Sequence, residues 1–437
     1  MTVKTTSISP SIRLFSIPTE TFKTEVISFT LTLPLTSERD VAGTVLAGVL
    51  RRGTEQYPTQ AHINRALDEL YASCVEIRCS RIGNNLSLVF SAEILDSRFI
   101  PDRIDVLGGV IHIIAQMLLY PTKEKNAFLK EFVEQEITCT IDSIHAQKNN
   151  TRAYAAIRCS ELMHRSHASF PTLAEAESFV RSLDEHSLYQ YYQEWISLSP
   201  LDVFYVGSKD ASIVQQKVNH AFSNTNFATQ YRLNPLIADQ PSPFISLTES
   251  MPVSQGKLSM GFRVGVCADP THEEYYTALV LNEIFGASPA SKLFLNVREK
   301  MSLCYYCSSS FSIYTGNLMV SCGMEVKKRQ IAEQAILDQL KQIQNGEISD
   351  TEFSAAKKSL ENCYRSIEDN PFDLQSYYGG RLLFDISDTL SECRRKLAKV
   401  SKASVIKLAQ QVVHDTSFFV EGTLSTASET EDDPDDE

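Results

Sequence analysis

Long apolar runs are absent from this sequence. No segment reaches the roughly 18 uninterrupted apolar residues that a membrane span needs, and the Ser/Thr-rich start, Met1 to Arg13, lacks the apolar core of a signal peptide. The expectation is a soluble, cytoplasmic protein with no membrane partner. A Lys/Arg stripe and aromatic-basic interleaving are also missing, so nucleic-acid binding has no electrostatic footprint. Ten cysteines occur without framework spacing, and with no secretion signal they read as reduced thiols rather than bridges.

The usual marks of catalysis are equally scarce. GxSxG, a P-loop and GxGxxG do not occur, which removes the standard signatures of acyl-serine, nucleotide and dinucleotide chemistry. A hydrolytic zinc site needs three protein ligands, commonly two His one helical turn apart plus a carboxylate, with a base beside an open water position. None of the nine histidines forms HxxEH or HExxH. The nearest pair, His164 and His167 beside Arg165, reads as ordinary helix-end residues. Cys304 and Cys307 make a single CxxC on an expected strand, where they would point to opposite faces and serve as small buried apolar residues. The chain is expected to bind no metal and no cofactor of its own.

What is present is an ordinary globular composition: 437 residues, 43% apolar and 22% charged, enough for two or more cores. Of the net charge of -13, seven acids lie between Glu429 and Glu437, interrupted only by Thr430 and Pro434. Such a run cannot bury apolar surface and reads as a disordered acidic tail, residues 426–437.

Each half of the chain shows the same order of an alternating strand, amphipathic helices, a hairpin and long helices. In the first, Phe22 to Leu35 alternates as a strand, Asp40 to Leu50 is an apolar helix, and Thr59 can cap the next, with Ile63, Leu67 and Leu70 on one face. Val75 to Phe90 is a hairpin turning at Gly83, Asn84 and Asn85. Helices near Arg103 to Leu119, Lys125 to Ile144 and Arg152 to His164 follow, then a capping box at Ser182 and Glu185 and a strand at Leu201 to Val206. The Pro-, Asn-, Ser- and Gln-rich stretch 223–255 reads as a linker between domains 1–222 and 256–425. In the second half, Leu258 to Val266 is a strand, Thr271 and Glu274 form a capping box, and Leu303 to Met324 is a hairpin turning at Thr315, Gly316 and Asn317. A helix from Lys327 stops at Gly346, a capping box at Ser349 and Glu352 opens another, and a helix near Ala403 to Val413 precedes a strand, Ser417 to Glu421.

Against this background the segment Ser291-Lys-Leu-Phe-Leu-Asn-Val-Arg-Glu-Lys-Met-Ser-Leu-Cys-Tyr305 resembles the second-domain signature of the pitrilysin/insulinase family of zinc peptidases. There an Arg and a Tyr seven residues apart reach toward substrate near the zinc, and here they are Arg298 and Tyr305. The chemistry suits peptide hydrolysis, since Arg can hydrogen-bond a substrate carbonyl and a Tyr hydroxyl can stabilise a developing oxyanion. Arg51-Arg-Gly-Thr54 and Tyr57-Pro-Thr59 resemble the stretch that follows the family's inverted HxxEH motif. Counting back places that motif on Thr44-Val45-Leu46-Ala47-Gly48. Thr44 and Gly48 then replace both ligand histidines, and Ala47 replaces the Glu that activates water. A third-ligand Glu falls somewhere between Glu124 and Glu136.

The resemblance spans about Phe15 to about Leu424 and is strongest over Gln255 to Gly380. It implies an α+β fold with two homologous insulinase-like (LuxS/metalloenzyme-like) α/β-sandwich domains forming a clam-shell half. It also implies a catalytically silent, substrate-binding subunit whose HxxEH-bearing partner holds the zinc. The alternative is a non-enzymatic binding or assembly subunit with an inherited peptidase fold, as in the family's respiratory-complex core subunits.

Overall fold

The computed structural model describes residues 2–101, 104–165, 167, 169–267 and 274–424. The expected acidic tail and the capping residue Thr271 lie outside them. The chain forms two compact units, each with one mixed sheet and helices packed on it.

The first unit comprises residues 1–143, 173–235 and 366–389. Its strands are β1 (Lys4–Ser9), β2 (Ile12–Pro18), β3 (Thr24–Pro34), β4 (Cys74–Ile82), β5 (Asn85–Leu95) and β8 (Leu201–Gly207), in the order β1-β2-β8-β3-β5-β4. Two-residue strands β6 (Lys123–Glu124) and β7 (Ala127–Phe128) pair separately, around Lys125 at φ 56°. β2 and β8 run parallel, whereas β8–β3, β3–β5 and β5–β4 are antiparallel. Gly83 at φ 58° turns the expected β4–β5 hairpin, a backbone position that glycine adopts without strain.

The second unit comprises residues 144–172, 236–365 and 390–437. Its strands are β9 (Ile245–Met251), β10 (Gly256–Arg263), β11 (Tyr306–Phe311), β12 (Asn317–Met324) and β13 (Val413–Gly422), ordered β11-β12-β10-β13-β9. The pairing repeats the first sheet: β9 is parallel to β13, and β13–β10, β10–β12 and β12–β11 are antiparallel. The duplicated α+β fold expected from the sequence is present.

The units are not contiguous in the chain, which differs from a simple division at 223–255. Helix Thr151–Met163, from the first half of the sequence, packs on β10 and β13, burying Tyr154, Ala155, Cys159 and Met163. Gly261 on β10 leaves room for Met163, whose Sδ would lie 2.3 Å from a Cβ there. Helix Pro371–Leu382, from the second half, packs on β3 and β8, where Tyr378 stacks on Phe204 and Gln375 Nε2 donates to Ser28 Oγ at 3.1 Å. Within the expected linker, Ile245–Met251 is a strand, because an extended segment there completes the edge beside β13.

Local differences also have physical reasons. The expected Ser182–Glu185 capping box is instead Asp184–Ser187, since Ser182 closes the preceding helix, Leu173–Ser182. Thr59 precedes its helix, but its hydroxyl is 2.7 Å from His62 Nδ1 and makes no cap hydrogen bond to the backbone. Ser349 and Glu352 do form a reciprocal box before Asp350–Ser366.

A polar knot lies in the second unit. Arg263 is buried and donates to Asp239 Oδ2 at 2.9 Å, Asp415 Oδ2 at 3.2 Å, Asn317 Oδ1 at 2.9 Å and the Met163 carbonyl. Asn317 Nδ2 donates to Asp239 Oδ2 at 2.7 Å, and His164 Nε2 lies 3.0 Å from the same oxygen. His164, half of the HxxH pair, is thus bound into the core by a carboxylate.

Candidate functional site

The stretch equated with a zinc motif lies on helix Ser37–Val49, capped by Thr36, whose hydroxyl accepts from Arg39 N. Thr44 is exposed and its hydroxyl donates to the Asp40 carbonyl at 3.2 Å. Ala47 and Gly48 are buried. A Cβ at Gly48 would lie 2.1 Å from Glu136 Oε2, so the carboxylate of Glu136 fills the space a side chain would take. Glu136 is on helix Lys130–Ala146, the C-terminal limit of the range expected for a third ligand. Its other oxygen accepts from Arg52 Nε at 2.6 Å, and Arg52 also donates to Gln135 Oε1 at 2.9 Å.

These residues do not fit a zinc ion. No imidazole is available at Thr44 or Gly48, no base stands at Ala47, and the remaining carboxylate is neutralised by a guanidinium. A charge-assisted hydrogen bond supplies the counter-charge a metal would otherwise bring.

The second-domain signature folds as a π-helix, Leu293–Lys300, following another at Glu283–Ala287. Met301 N donates to the Asn296 carbonyl at 2.9 Å, five residues back. Such wide turns are rare and occur disproportionately at functional sites. Leu293 and Val297 face the core, and a Cβ at Gly286 would stand 2.7 Å from Leu293 Cδ1 and 2.8 Å from Ser309 N. Lys292 is buried and pairs with Glu352 at 2.8 Å, while Asn296 Nδ2 donates to Gln339 Oε1 at 2.6 Å.

The opposite side of this helix is open. Arg298 lies over the Phe294 ring at 4.7 Å, with its Nε 3.7 Å from Glu299 Oε1. Ser302, at φ 49°, turns the chain back, and Tyr305 N donates to the Gly323 carbonyl at 2.8 Å, fixing the residue beside β12. Tyr305 is 49% exposed. Arg298 and Tyr305 line one pocket of about 500 Å³ with Glu299, Ser302, Cys304, Glu325 and Lys328. Two side chains singled out from the sequence therefore share one concave surface, a cation and a phenol with space before them.

Cys304, Cys307 and Cys322 form a cluster that sequence reasoning missed. Cys304 precedes β11, so strand alternation does not govern it, contrary to the expectation that it and Cys307 face opposite ways. Cys307 pairs directly with Cys322 across β11–β12, and the three Sγ atoms lie within 4.8 Å of one another. Cys307 and Cys322 are buried, whereas Cys304 is half-buried at the pocket. Hydrogen bonds from Cys307 and Cys322 hold the Cys304 thiol down to about 4 against the cost of burial, with Arg298 and Lys328 adding to the effect. Cys307 is pushed up chiefly by its hydrogen bond to Cys304, and Cys322 likewise. The available signal was placement: Cys307 and Cys322 lie on opposite arms of the expected hairpin, and the register sets them across from each other.

Residues 182–360 match the family model described as the peptidase M16 inactive domain. The probable inactive metalloprotease YmfF of Bacillus subtilis (strain 168) is 28% identical over 410 residues, 93% of this chain and 95% of that protein. The uncharacterized zinc protease YmxG of the same organism is 24% identical over 309 residues, 69% of this chain and 72% of that one. A conserved protein from Enterococcus faecalis V583 shares the fold with a TM-score of 0.86 at 24% identity, covering 99% of this chain and 100% of its own. The similarity to the probable inactive metalloprotease YmfF runs over nearly the whole chain, and the family model matches residues 182–360.

Proposed function

From a chain similar over 93% of its length to a probable inactive metalloprotease, we propose the silent subunit of a heterodimeric zinc peptidase. It binds peptide and presents Arg298 and Tyr305 to a partner that carries HxxEH. The observation that carries this reading is a contrast within one chain. The stretch read as the zinc motif offers no histidine, and the acid beside it, Glu136, is held by Arg52, while the Arg298/Tyr305 pocket stays open.

The proposed division of labour is simple. The partner binds the metal and activates water. Arg298 hydrogen-bonds a carbonyl of the extended peptide, and the Tyr305 hydroxyl donates to the oxyanion as it forms, an interaction stronger in the transition state than in the ground state. Main-chain pairing at a strand edge would hold the peptide with weak sequence dependence.

Arg298→Ala and Tyr305→Phe test the assignment in the reconstituted pair. The expected result is a fall in kcat of ~10²–10³ for Tyr305→Phe, the scale of losing one oxyanion donor, with pairing and thermal stability unchanged. Unaltered turnover in both variants would instead favour a binding or assembly subunit with an inherited fold.

A further inference from the structure

We propose that Cys304, Cys307 and Cys322 form a binding site for one soft d10 metal ion, Zn²⁺ or Cu⁺, with its open side toward the Arg298/Tyr305 pocket. The site is distinct from the replaced zinc motif, and its existence does not depend on the peptidase reading.

The argument starts from the hairpin. Directly paired residues of an antiparallel ladder project side chains to the same face about 5 Å apart, so the Cys307–Cys322 register sets two sulfurs side by side. The third arrives by a separate route. The π-helix ends, Ser302 turns back in a left-handed conformation, and the Leu303 N–H to Val297 carbonyl and Tyr305 N–H to Gly323 carbonyl bonds pin the backbone on either side of Cys304. Both anchors are main-chain, so the position of Cys304 is a property of the fold rather than of a mobile side chain.

The resulting triangle has the dimensions of a thiolate site. Zinc–sulfur bonds of about 2.3 Å in tetrahedral geometry separate neighbouring sulfurs by about 3.8 Å, and the three here already lie within 4.8 Å. An all-sulfur donor set excludes the hard cations Mg²⁺ and Ca²⁺ and selects soft ones. Three thiolates and a divalent ion carry a net charge of -1, which Arg298 and Lys328 at the pocket wall offset. Three donors suffice for Cu⁺; Zn²⁺ would take a fourth ligand, water or a pocket group, from the open side. Occupancy would tie the turn before β11 to the β11–β12 hairpin and so hold the segment that carries Tyr305.

The test uses the full chain, reduced and stripped of metal under anaerobic conditions, and titrated with Zn²⁺ or with Cu⁺ against a chromophoric chelator. One equivalent of either ion per chain is expected. The site is expected to be lost in Cys304→Ser but kept in Cys139→Ser, an exposed cysteine elsewhere. Co²⁺ in place of zinc should show thiolate charge-transfer absorption, and bound metal should protect Cys304 from alkylation in the unmodified protein. That last readout carries the test if Cys304→Ser fails to fold. Absence of stoichiometric uptake of both ions, uptake that survives Cys304→Ser, or alkylation of Cys304 at the same rate with and without metal would each overturn the proposal.

Discussion

At the scale of single residues, charge compensation decides what this chain can be. Glu136 is mostly buried beside Gly48, and Arg52 is its counter-ion. Arg52→Ala should cost about 1–3 kcal/mol, the desolvation penalty of a buried group left without its partner, seen as a lower midpoint in urea unfolding. The same logic is stronger around Arg263, which neutralises Asp239 and Asp415. Breaking a buried pair by removing one partner costs roughly 3–5 kcal/mol, so Arg263→Met should be among the most destabilising single changes in the second unit.

The pH dependence follows from those two acids. Burial raises the pKa of Asp239, but hydrogen bonds from His164 and Asn317 and the charge of Arg263 outweigh it, and the net shift is downward. For Asp415, burial is likewise overcome, by Thr416, the Ser242 N–H and Arg263. Both folded values lie below the unfolded one of about 3.9. Their contribution is therefore full above pH ~4 and is lost as the pH falls through the lower folded values. Acid unfolding followed by circular dichroism should show the second unit holding to below pH 4, with Arg263→Met unfolding at a higher pH. An unchanged acid midpoint in that variant would contradict the assignment.

At the scale of elements, the signature segment is built around close packing. Gly286 meets both a side chain and the Ser309 backbone, which cannot yield. Gly286→Ala should overpack the π-helix by about 1–3 kcal/mol and raise the exchange rates of amides over Leu293–Lys300. The elements legible in the sequence were those with their own local signal. The β4–β5 and β11–β12 hairpins alternate about a glycine turn, the Ser349–Glu352 box sits before a helix, and Gly346 at φ 86° stops one. Strands β1 and β9 were not legible because edge strands bury little and their alternation is faint. Helix Pro371–Leu382 did carry a signal, Asn370 as cap with Pro371 at the first position, and it could have been found.

At the scale of the whole molecule, the duplication was legible, whereas the path of the chain between units was not. Nothing in Tyr154, Cys159 or Met163 says which sheet they will cover; that choice depends on Gly261, about a hundred residues away, making room for Met163. The candidate site divides the same way. Arg298 and Tyr305 could be singled out because their spacing is contained in one segment. The Glu136–Arg52 lock and the three-cysteine cluster depend on residues that only folding brings together. The functional reading rests on the first kind of information and is sharpened by the second.

The most direct measurement is peptide hydrolysis, with metal content by elemental analysis, for this chain alone, for an HxxEH-bearing M16 subunit alone, and for the two mixed. The account predicts cleavage only in the mixture, with catalytic zinc following the partner and any metal on this chain lost on Cys304→Ser. Cleavage by this chain alone, dependent on its own bound zinc, would contradict the central claim.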